Sequence, residues 1–502
     1  MEQLSRIVLA FFCFISLNLF GFLYHDDERE RPSSPIQIQP QTKDSHPLDL
    51  TVVGKHCIYG SIAKQSVELI QALKNDLSIS FIPMTALMDL HLVSRDVQKI
   101  LSTPGYRYKG KVLIVEDRIT EVMQGGVFER FGLPKTDKKQ LRFVYDMCES
   151  SRISPKWVEM LNMYDAVLVP DEFIVDVYME SGVTVPIFVL PLGIYMDDFY
   201  SVRTPPRTTP HPFVFGNFGI ICERKDQLLL VRAFAQAFGN NPNVQLLLSG
   251  RAAFTDYAKK VRREIQKLGL TNVLYEEGCD ERRQYLEKFG KIDCYVNISQ
   301  GEGFSYQPRE AMFFGVPVIV SDNTAHHTIC KSGLVRPVPA RHQVPSEMPE
   351  CGYMLRCSVD DVATALIEGY TQYSKNQENG SSSYRSQNAY RLLGVIGQDP
   401  YRWPLYWIST NSQHGMGASP LSHLYAPSSK GLQAKARQWA QQYDYKNLRP
   451  TYLSILSPKR VVLGGENRVT PEEVRTTSKA LYTKICTVFP NVCRVDTTNK
   501  NG

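Results

Sequence analysis

The sequence predicts an α/β protein built from two doubly wound domains behind an N-terminal hydrophobic anchor. Three features of the chain point there. From residue 48 to residue 374, short β-rich runs alternate with amphipathic helical stretches, the pattern of βαβ units on a parallel sheet. The alternation breaks where SVRTPPRTTPHP (Ser201–Pro212) places four prolines in twelve residues and leaves no room for a regular element. Ahead of both halves lies IVLAFFCFISLNLFGFLY, the eighteen uncharged residues Ile7–Tyr24.

That uncharged run is near the lower limit for a helix that spans a bilayer. Arg6 precedes it and HDDERER (His25–Arg31) follows, a bias that puts the N-terminus in the cytoplasm. Residues 1–24 read as an uncleaved signal-anchor. A signal peptide is the competing reading, although no small-residue cleavage pattern follows. Residues 25–47 read as a flexible stalk, because PSSPIQIQPQTKDSHPL has little to bury.

The first Rossmann-like domain is placed at residues 48–200. Its strands are expected at Leu48–Val53, Ser78–Ile82, Val112–Val115, Phe143–Met147, Ala166–Val169 and Ile187–Leu190, with helices over Ile62–Leu73 and Glu172–Met179. Gly54 and Gly60 bracket the loop after the first strand. The second Rossmann-like domain is placed at 201–374. Strands are expected at Phe213–Phe215, Val244–Leu248, Val273–Tyr275, Cys294–Val296 and Val316–Val320. The helices between them are Asp226–Phe238, Tyr257–Leu268, Arg282–Phe289 and Gln307–Phe314, and Val359–Tyr370 is a further one. Residues 375–430, rich in Ser, Asn, Gly and Gln, form an irregular insertion. Leu432–Tyr443 is an amphipathic helix within a segment 431–445, and 446–502 is a C-terminal extension with one small helix near Glu472–Phe489.

Length agrees with this division, since 502 residues exceed what one hydrophobic core serves. A net charge of +6 over that length is too mild for a nucleic-acid face. None of the eleven cysteines has C-x-x-C spacing, which argues against a zinc or redox motif. Cys351/Cys357 and Cys486/Cys493 are spaced to pair if the chain folds in an oxidising compartment. Of the two glycosylation sequons, Asn297-Ile-Ser ends a core strand and Asn379-Gly-Ser lies in the insertion, where it is open to modification.

The sharpest segment is SQGEGFSYQPREAMFFGVPVIVSD, Ser299–Asp322. A strand ends just ahead of it, a glycine-flanked turn follows, Pro308 suits the first turn of a helix, and Gly315 stops that helix. Free N–H groups at such a helix start favour an anion, and glycines let backbone approach a ligand. Ligands of parallel sheets sit at the carboxyl ends of the strands. Glu302 and Glu310 therefore flank the place where a phosphate-bearing ligand would lie, and carboxylates accept hydrogen bonds from sugar hydroxyls. The plainer readings are a helix-dipole carboxylate for Glu310 and a solvated loop residue for Glu302. A second stretch, FGNFGIICERKDQLLLVRAFAQAF (Phe215–Phe238), runs from a strand through a glycine loop to Arg224-Lys225 and an amphipathic helix. A charge on a flexible stem, as at Lys225, suits a diphosphate; the plainer reading is an exposed basic pair.

On these residues the sequence resembles the retaining GT-B glycosyltransferases of family four, the glycosyl transferases group 1. The family's two glutamates with seven residues between them stand here as Glu302-Gly303-Phe304-Ser305 and Glu310-Ala311-Met312, followed by Gly315-Val316-Pro317-Val318-Ile319. The resemblance implies that Glu310 binds the nucleotide ribose and Glu302 the donor sugar. It also implies that the amides of Gly303, Phe304 and Ser305 meet sugar and diphosphate, and that Lys225, beside Arg224, meets the phosphates. Gly54–Gly60 resembles the N-terminal glycine loop near the donor phosphate, the run from Val169 to Phe199 resembles the approach to the interdomain hinge, and Ala436–Tyr443 resembles the helix that crosses back onto the first domain. Together these cover about residues 50–370 and 430–445. The chain departs from the pattern at Asn217 and Gly219, where many relatives carry an Arg, and at Asn323–His327, where many carry a Glu. Asp146 and Glu149 lie where acceptor-side residues are expected, and Glu149 is taken as a further catalytic candidate.

The implied activity is retaining transfer, of the hexosyltransferase type, from a UDP- or GDP-linked sugar to a hydroxyl of a glycan, lipid or protein. No D-x-D pair stands out, so no essential metal is expected, and Lys225 and Arg224 would neutralise the leaving diphosphate. The alternatives are a GT-B-fold binding or scaffold protein without catalysis, and a membrane-anchored adaptor working through residues 375–430. A single-pass enzyme of this orientation faces the lumen of the Golgi or endoplasmic reticulum in a eukaryote. In a bacterium it faces the cytoplasm.

Overall fold

Two parallel sheets organise the chain in the computed structural model, which describes residues 48–54, 61–84, 94–102, 110–116, 139–202, 211–252, 255–278, 282–378, 429–456 and 487. All of these belong to one compact unit, Ser45–Gly502. The expected anchor, the stalk, Gly60, nearly all of the insertion, the sequon at Asn379 and the Cys486/Cys493 pair lie outside the described residues. Among those described, no helix is long and apolar enough to cross a membrane.

The first sheet contains β1 (Leu50–Gly54), β2 (Ile79–Pro83), β3 (Val112–Glu116), β4 (Leu141–Tyr145), β5 (Ala166–Val169) and β6 (Ile187–Val189). They run in the order β2-β1-β3-β4-β5-β6, all parallel. Helices α1 (Ser61–Leu73), α2 (Arg95–Ser102), α3 (Pro155–Leu161), α4 (Glu172–Ser181) and α5 (Asp197–Ser201) accompany it. The second sheet contains β7 (Phe213–Phe218), β8 (Val244–Gly250), β9 (Val273–Glu277), β10 (Cys294–Asn297), β11 (Val318–Asp322), β12 (Arg336–Pro345) and β13 (Tyr353–Cys357). Its order is β13-β12-β11-β10-β7-β8-β9, with only β13 antiparallel. Its helices are α6 (Gln227–Phe238), α7 (Thr255–Lys267), α8 (Arg282–Phe289), α9 (Tyr306–Phe314), α10 (Thr324–Lys331) and α11 (Val359–Glu378). Two last helices, α12 (Ser429–Gln441) and α13 (Tyr445–Leu456), complete the described chain.

The central strands of both sheets are buried on both faces, as parallel sheets are when helices cover each side. Successive residues accordingly join different cores: Val52 packs in one apolar cluster and Val53 in another, and Val214 and Phe215 divide in the same way. One of the three clusters runs continuously from Leu50 and Phe81, through Phe218, Tyr295 and Met312, to Ala436, Tyr443 and Leu453. Helix α12 caps the end of α9, where Arg437 donates to the carbonyls of Phe313 (2.8 Å) and Phe314 (3.2 Å), a favourable place for a cation.

The structure departs from the sequence reading at several points. A hairpin, β12 and β13, occupies a stretch assigned no element. Its turn reaches the first domain: the Ser151 N–H donates to the Tyr353 carbonyl at 2.9 Å, and Met348 and Cys351 pack in that domain's core. Helix α13 begins at Tyr445, the last residue of the 431–445 segment, and runs into the expected extension despite Pro450. The last motif strand is shifted to Val318–Asp322, because Pro317 has no N–H to give and instead accepts from Tyr295 at 2.8 Å. Cys351 and Cys357 are free thiols in separate clusters rather than a pair.

Candidate functional site

The site is assembled at the switch point of the seven-stranded sheet. β7 and β10 are parallel neighbours, with Cys294 opposite Phe215 and Tyr295 opposite Gly216, so the loops leaving their carboxyl ends share one crevice. The Asn217 amide donates to the Val296 carbonyl at 2.7 Å, and the Tyr295 hydroxyl donates to the Phe218 carbonyl at 3.1 Å, tying the strand ends together. Gly219 follows at φ 133°, a conformation that side chains with a Cβ rarely adopt. Its carbonyl lies 1.6 Å from where a Cβ on Gly250 would stand. A Cβ on Gly219 itself would meet only the Gln307 side chain, at 3.4 Å, so the positive φ rather than lack of space disfavours the Arg that the resemblance leads one to expect.

Arg224 and Lys225 sit on a single 3-10 turn, Glu223–Lys225. Asp226 follows in the left-handed region (φ 55°) and is held by Arg356 of β13 through two bonds of 2.5 and 2.8 Å. The Arg224 N–H donates to Glu347 at 3.0 Å, and its carbonyl accepts from the Gln300 N–H at 2.8 Å. The basic pair is therefore not an exposed one. Lys225 is buried and donates to Glu302, itself buried. Arg224 Nη1 stands 3.2 Å from the other oxygen of Glu302, while its Nη2 stands 3.6 Å from Glu149 of the first domain. Burial alone would raise the pKa of Glu302, but Lys225 and Arg224 outweigh it and hold the carboxyl well below the usual range. Burial likewise opposes the charge on Arg224, and Glu149 and Glu302 outweigh it.

Glu310, on α9, is 2% exposed. It accepts from the Tyr285 hydroxyl and from Arg282 Nη1 at 3.0 Å. Arg282 and Tyr285 are three residues apart on α8 and so share a face. Arg282 also reaches Asp198 at 3.3 Å and lies 5.1 Å over the Phe199 ring. Sequence reasoning missed both partners, although their spacing on an expected helix was visible.

Between the two glutamates, the Glu302 N–H donates to the Thr324 hydroxyl at 2.9 Å. Ser305 takes the left-handed conformation (φ 66°) just before α9. Its hydroxyl lies 2.8 Å from His326 Nε2, and His326 Nδ1 lies 2.9 Å from the Ser321 hydroxyl. Burial, aided by Lys225 and Arg309 and opposed by Glu302, lowers the pKa of His326 to about 3, which leaves the imidazole neutral. The histidine pair thus splits: His326 braces the loop from behind, and the half-exposed His327 bonds Asp322 at 2.7 Å.

The first domain meets this crevice directly. A Cβ on Gly301 would stand 2.0 Å from the Glu149 carbonyl, and one on Gly303 would stand 2.8 Å from Met147 Sδ. These two glycines admit the neighbouring domain as well as leaving backbone open to a ligand. A cavity of about 30 Å³, lined in part by Glu149, Trp157, Arg224, Glu347 and Met348, remains between the domains. Asp146 does not face the crevice. It is buried, accepts from Trp157 Nε1 and the Tyr178 hydroxyl, both at 2.6 Å, and burial pushes its pKa to about 7. Gly54 ends β1, its carbonyl accepting from Met84 at 2.8 Å. Among the described residues no group of His, Cys, Asp and Glu side chains is placed to hold a metal ion.

Residues 206–335 match the family described as glycosyl transferases group 1. The chain is 31% identical over 121 residues to an uncharacterized glycosyltransferase of Methanocaldococcus jannaschii. That match covers 24% of this chain and about a quarter, 27%, of the relative. Among solved structures, HepE of Anabaena in complex with UDP-glucose superposes with a TM-score of 0.53 at 13% identity, covering 82% of this chain and 99% of that one. A glycosyltransferase of Rickettsia africae superposes with a TM-score of 0.54 at 12% identity, covering 82% and 98%. At such identities the likeness is one of fold, and that fold is the GT-B arrangement.

Proposed function

We propose that this chain, which carries a glycosyl transferases group 1 domain on a GT-B fold, transfers a sugar from a UDP- or GDP-linked donor to an acceptor hydroxyl. The observation that carries this reading is the pair of buried glutamates at one crevice, each already engaged by donors. Glu302 lies against Lys225 and Arg224, and Glu310 against Arg282 and Tyr285. A buried carboxylate is kept ionised only by such partners. A diphosphate would take the place of Glu302 on Lys225 and Arg224, and ribose hydroxyls would take the place of Arg282 and Tyr285 on Glu310.

On this reading the donor's diphosphate takes up Lys225, Arg224 and the amides of Gly303, Phe304 and Ser305. Charge develops on the leaving diphosphate as its bond to the sugar breaks. Cations already fixed in place stabilise that charge without reorganising. Glu302 positions the sugar and Glu310 the ribose. Glu149, across the crevice, faces the acceptor side. Retention of configuration and hexose as the transferred group follow from the family resemblance. Because two cations already stand at the phosphate position, transfer should survive chelation by EDTA; complete loss of activity restored by manganese would defeat that assignment. The acceptor is a glycan, lipid or protein hydroxyl. Residues 7–24 anchor the enzyme to a membrane, with its catalytic part lumenal in a eukaryote and cytoplasmic in a bacterium. Intact chain released by carbonate extraction would overturn the anchor. Purified full-length protein given a panel of nucleotide sugars should release nucleoside diphosphate from one of them. Binding without release would make it a binding protein of this fold, and no binding at all would end the reading.

A further inference from the structure

We propose that Arg309 is a positioning residue that sets the phosphate-binding backbone from behind, an inference that rests on the donor site proposed above. Arg309 is the largest fully buried side chain of the molecule's described part. Its Nη1 donates to the Phe304 carbonyl and, at 3.1 Å, to the Ser305 carbonyl. In a trans peptide the carbonyl and the following N–H point in opposite directions. Fixing these two carbonyls therefore turns the N–H groups of Ser305 and of the next peptide unit to the side away from Arg309. Ser305 also holds a left-handed conformation, φ 66°, which side chains with a Cβ disfavour. Three groups hold it there, His326 and Asn297 on its hydroxyl and Arg309 on its backbone.

The surroundings of Arg309 are those of a charge kept for its direction. Its guanidinium carbon lies 4.0 Å from the Phe304 ring centre and 4.5 Å from that of Tyr443, a cation between two aromatic faces. Its counter-charge is Asp171 of the first domain, 3.6 Å away, which also accepts from the Thr328 hydroxyl at 2.8 Å. An apolar side chain at this place in α9 would avoid the cost of burying a charge. What it could not supply is the pair of donors to those two carbonyls.

The test compares calorimetric binding of uridine and guanosine diphosphates with that of their nucleosides, on the full chain and two variants, with melting curves alongside. In the parent the diphosphate binds more tightly than the nucleoside. Arg309→Met should shrink that advantage about tenfold or more, the worth of one charge-assisted hydrogen bond, and leave nucleoside binding, which Glu310 reads, unchanged. Arg309→Lys keeps the charge without the fork and should fall between. An undiminished phosphate advantage in Arg309→Met overturns the proposal. So does an equal weakening of both ligands, which would mark a packing role. If Arg309→Met does not fold, Arg309→Lys decides, and a full phosphate advantage there overturns the proposal. A parent that binds neither ligand defeats the donor reading itself.

Discussion

Glu302 and Glu310 have the same side chain and about the same burial, yet they meet different company: two cations for one, a guanidinium and a phenol for the other. Glu302 therefore acts as a built-in anion on the groups that a diphosphate would need. Glu302→Gln should raise affinity for nucleoside diphosphate about tenfold, as Lys225 and Arg224 are released, while transfer collapses. Unchanged affinity would mean that the diphosphate binds elsewhere. Lys225→Ala and Glu310→Gln should each weaken nucleotide binding about ten- to a hundredfold, the first by narrowing the gap between diphosphate and nucleoside, the second by blurring the preference over a 2′,3′-blocked nucleotide. The paired glutamates and the basic pair were legible in the sequence because each lies in one short contiguous motif. Arg282, Tyr285 and Asp171 were not, because they act on residues 28, 25 and 138 positions away, through packing that no local pattern encodes. Asp146 shows burial working the other way. Its folded pKa is raised from 3.8 to about 7, so its stabilising contribution is complete below the ordinary value and is lost as pH rises toward 7. The melting temperature of the parent should therefore fall relative to Asp146→Asn between about pH 4 and pH 7, the window that shift defines. A gap that stays constant across that window would show that Asp146 is ionised throughout.

Among the elements, strands were easier to read than their partners. The β7 and β10 runs are apolar and bounded by glycine or polar turns, so the alternation exposed them. The β12–β13 hairpin escaped because RPVPARHQVP carries three prolines and two charges, a composition that argues against a strand unless it lies toward a sheet edge. Its antiparallel partner β13 is that edge. The tip of this hairpin is a lock between the domains: a Cβ on Gly352, at φ 72°, would stand 2.4 Å from the Ser151 hydroxyl. Gly352→Ala should destabilise the protein by about 1–2 kcal/mol from the backbone conformation alone, read from urea unfolding. Gly301→Ala is the harsher change, since the obstacle is the Glu149 backbone rather than a side-chain tip. Hydrogen exchange of residues 147–152 should quicken in that variant, and protection equal to the parent's would show that the contact is dispensable.

At the scale of the whole molecule, the two sheets are joined by more than a crevice. A single apolar cluster includes members of both sheets and of α12 and α13. Tyr195 and Tyr445 stack with ring centres 5.3 Å apart, and Arg449 grips Asp76 through bonds of 2.7 and 2.8 Å. The two doubly wound sheets were readable from two rounds of alternation, and their GT-B arrangement from the family resemblance, but α13 was not, since a proline inside a short polar segment hides its apolar face. Calorimetry should show one unfolding transition, because neither sheet can shed its shared cluster alone. Two separate transitions would mean that the cluster is not cooperative. Truncation before Ser429 should give a chain that does not unfold cooperatively, having lost Ala436, Ala440, Tyr443, Leu448, Tyr452, Leu453 and Leu456 from that cluster.

The contact between Arg449 and Asp76 spans 373 residues of sequence. A ribosome adding about 5–20 residues per second takes roughly 20–75 seconds to travel between them. Throughout that interval the first half of the protein exists without the segment that finishes its interior. The growing chain cannot complete its domains one after another as they emerge. Its apolar surface waits, uncovered, for α12 and α13 to be made, and the cell's holding chaperones are the natural custodians of that wait.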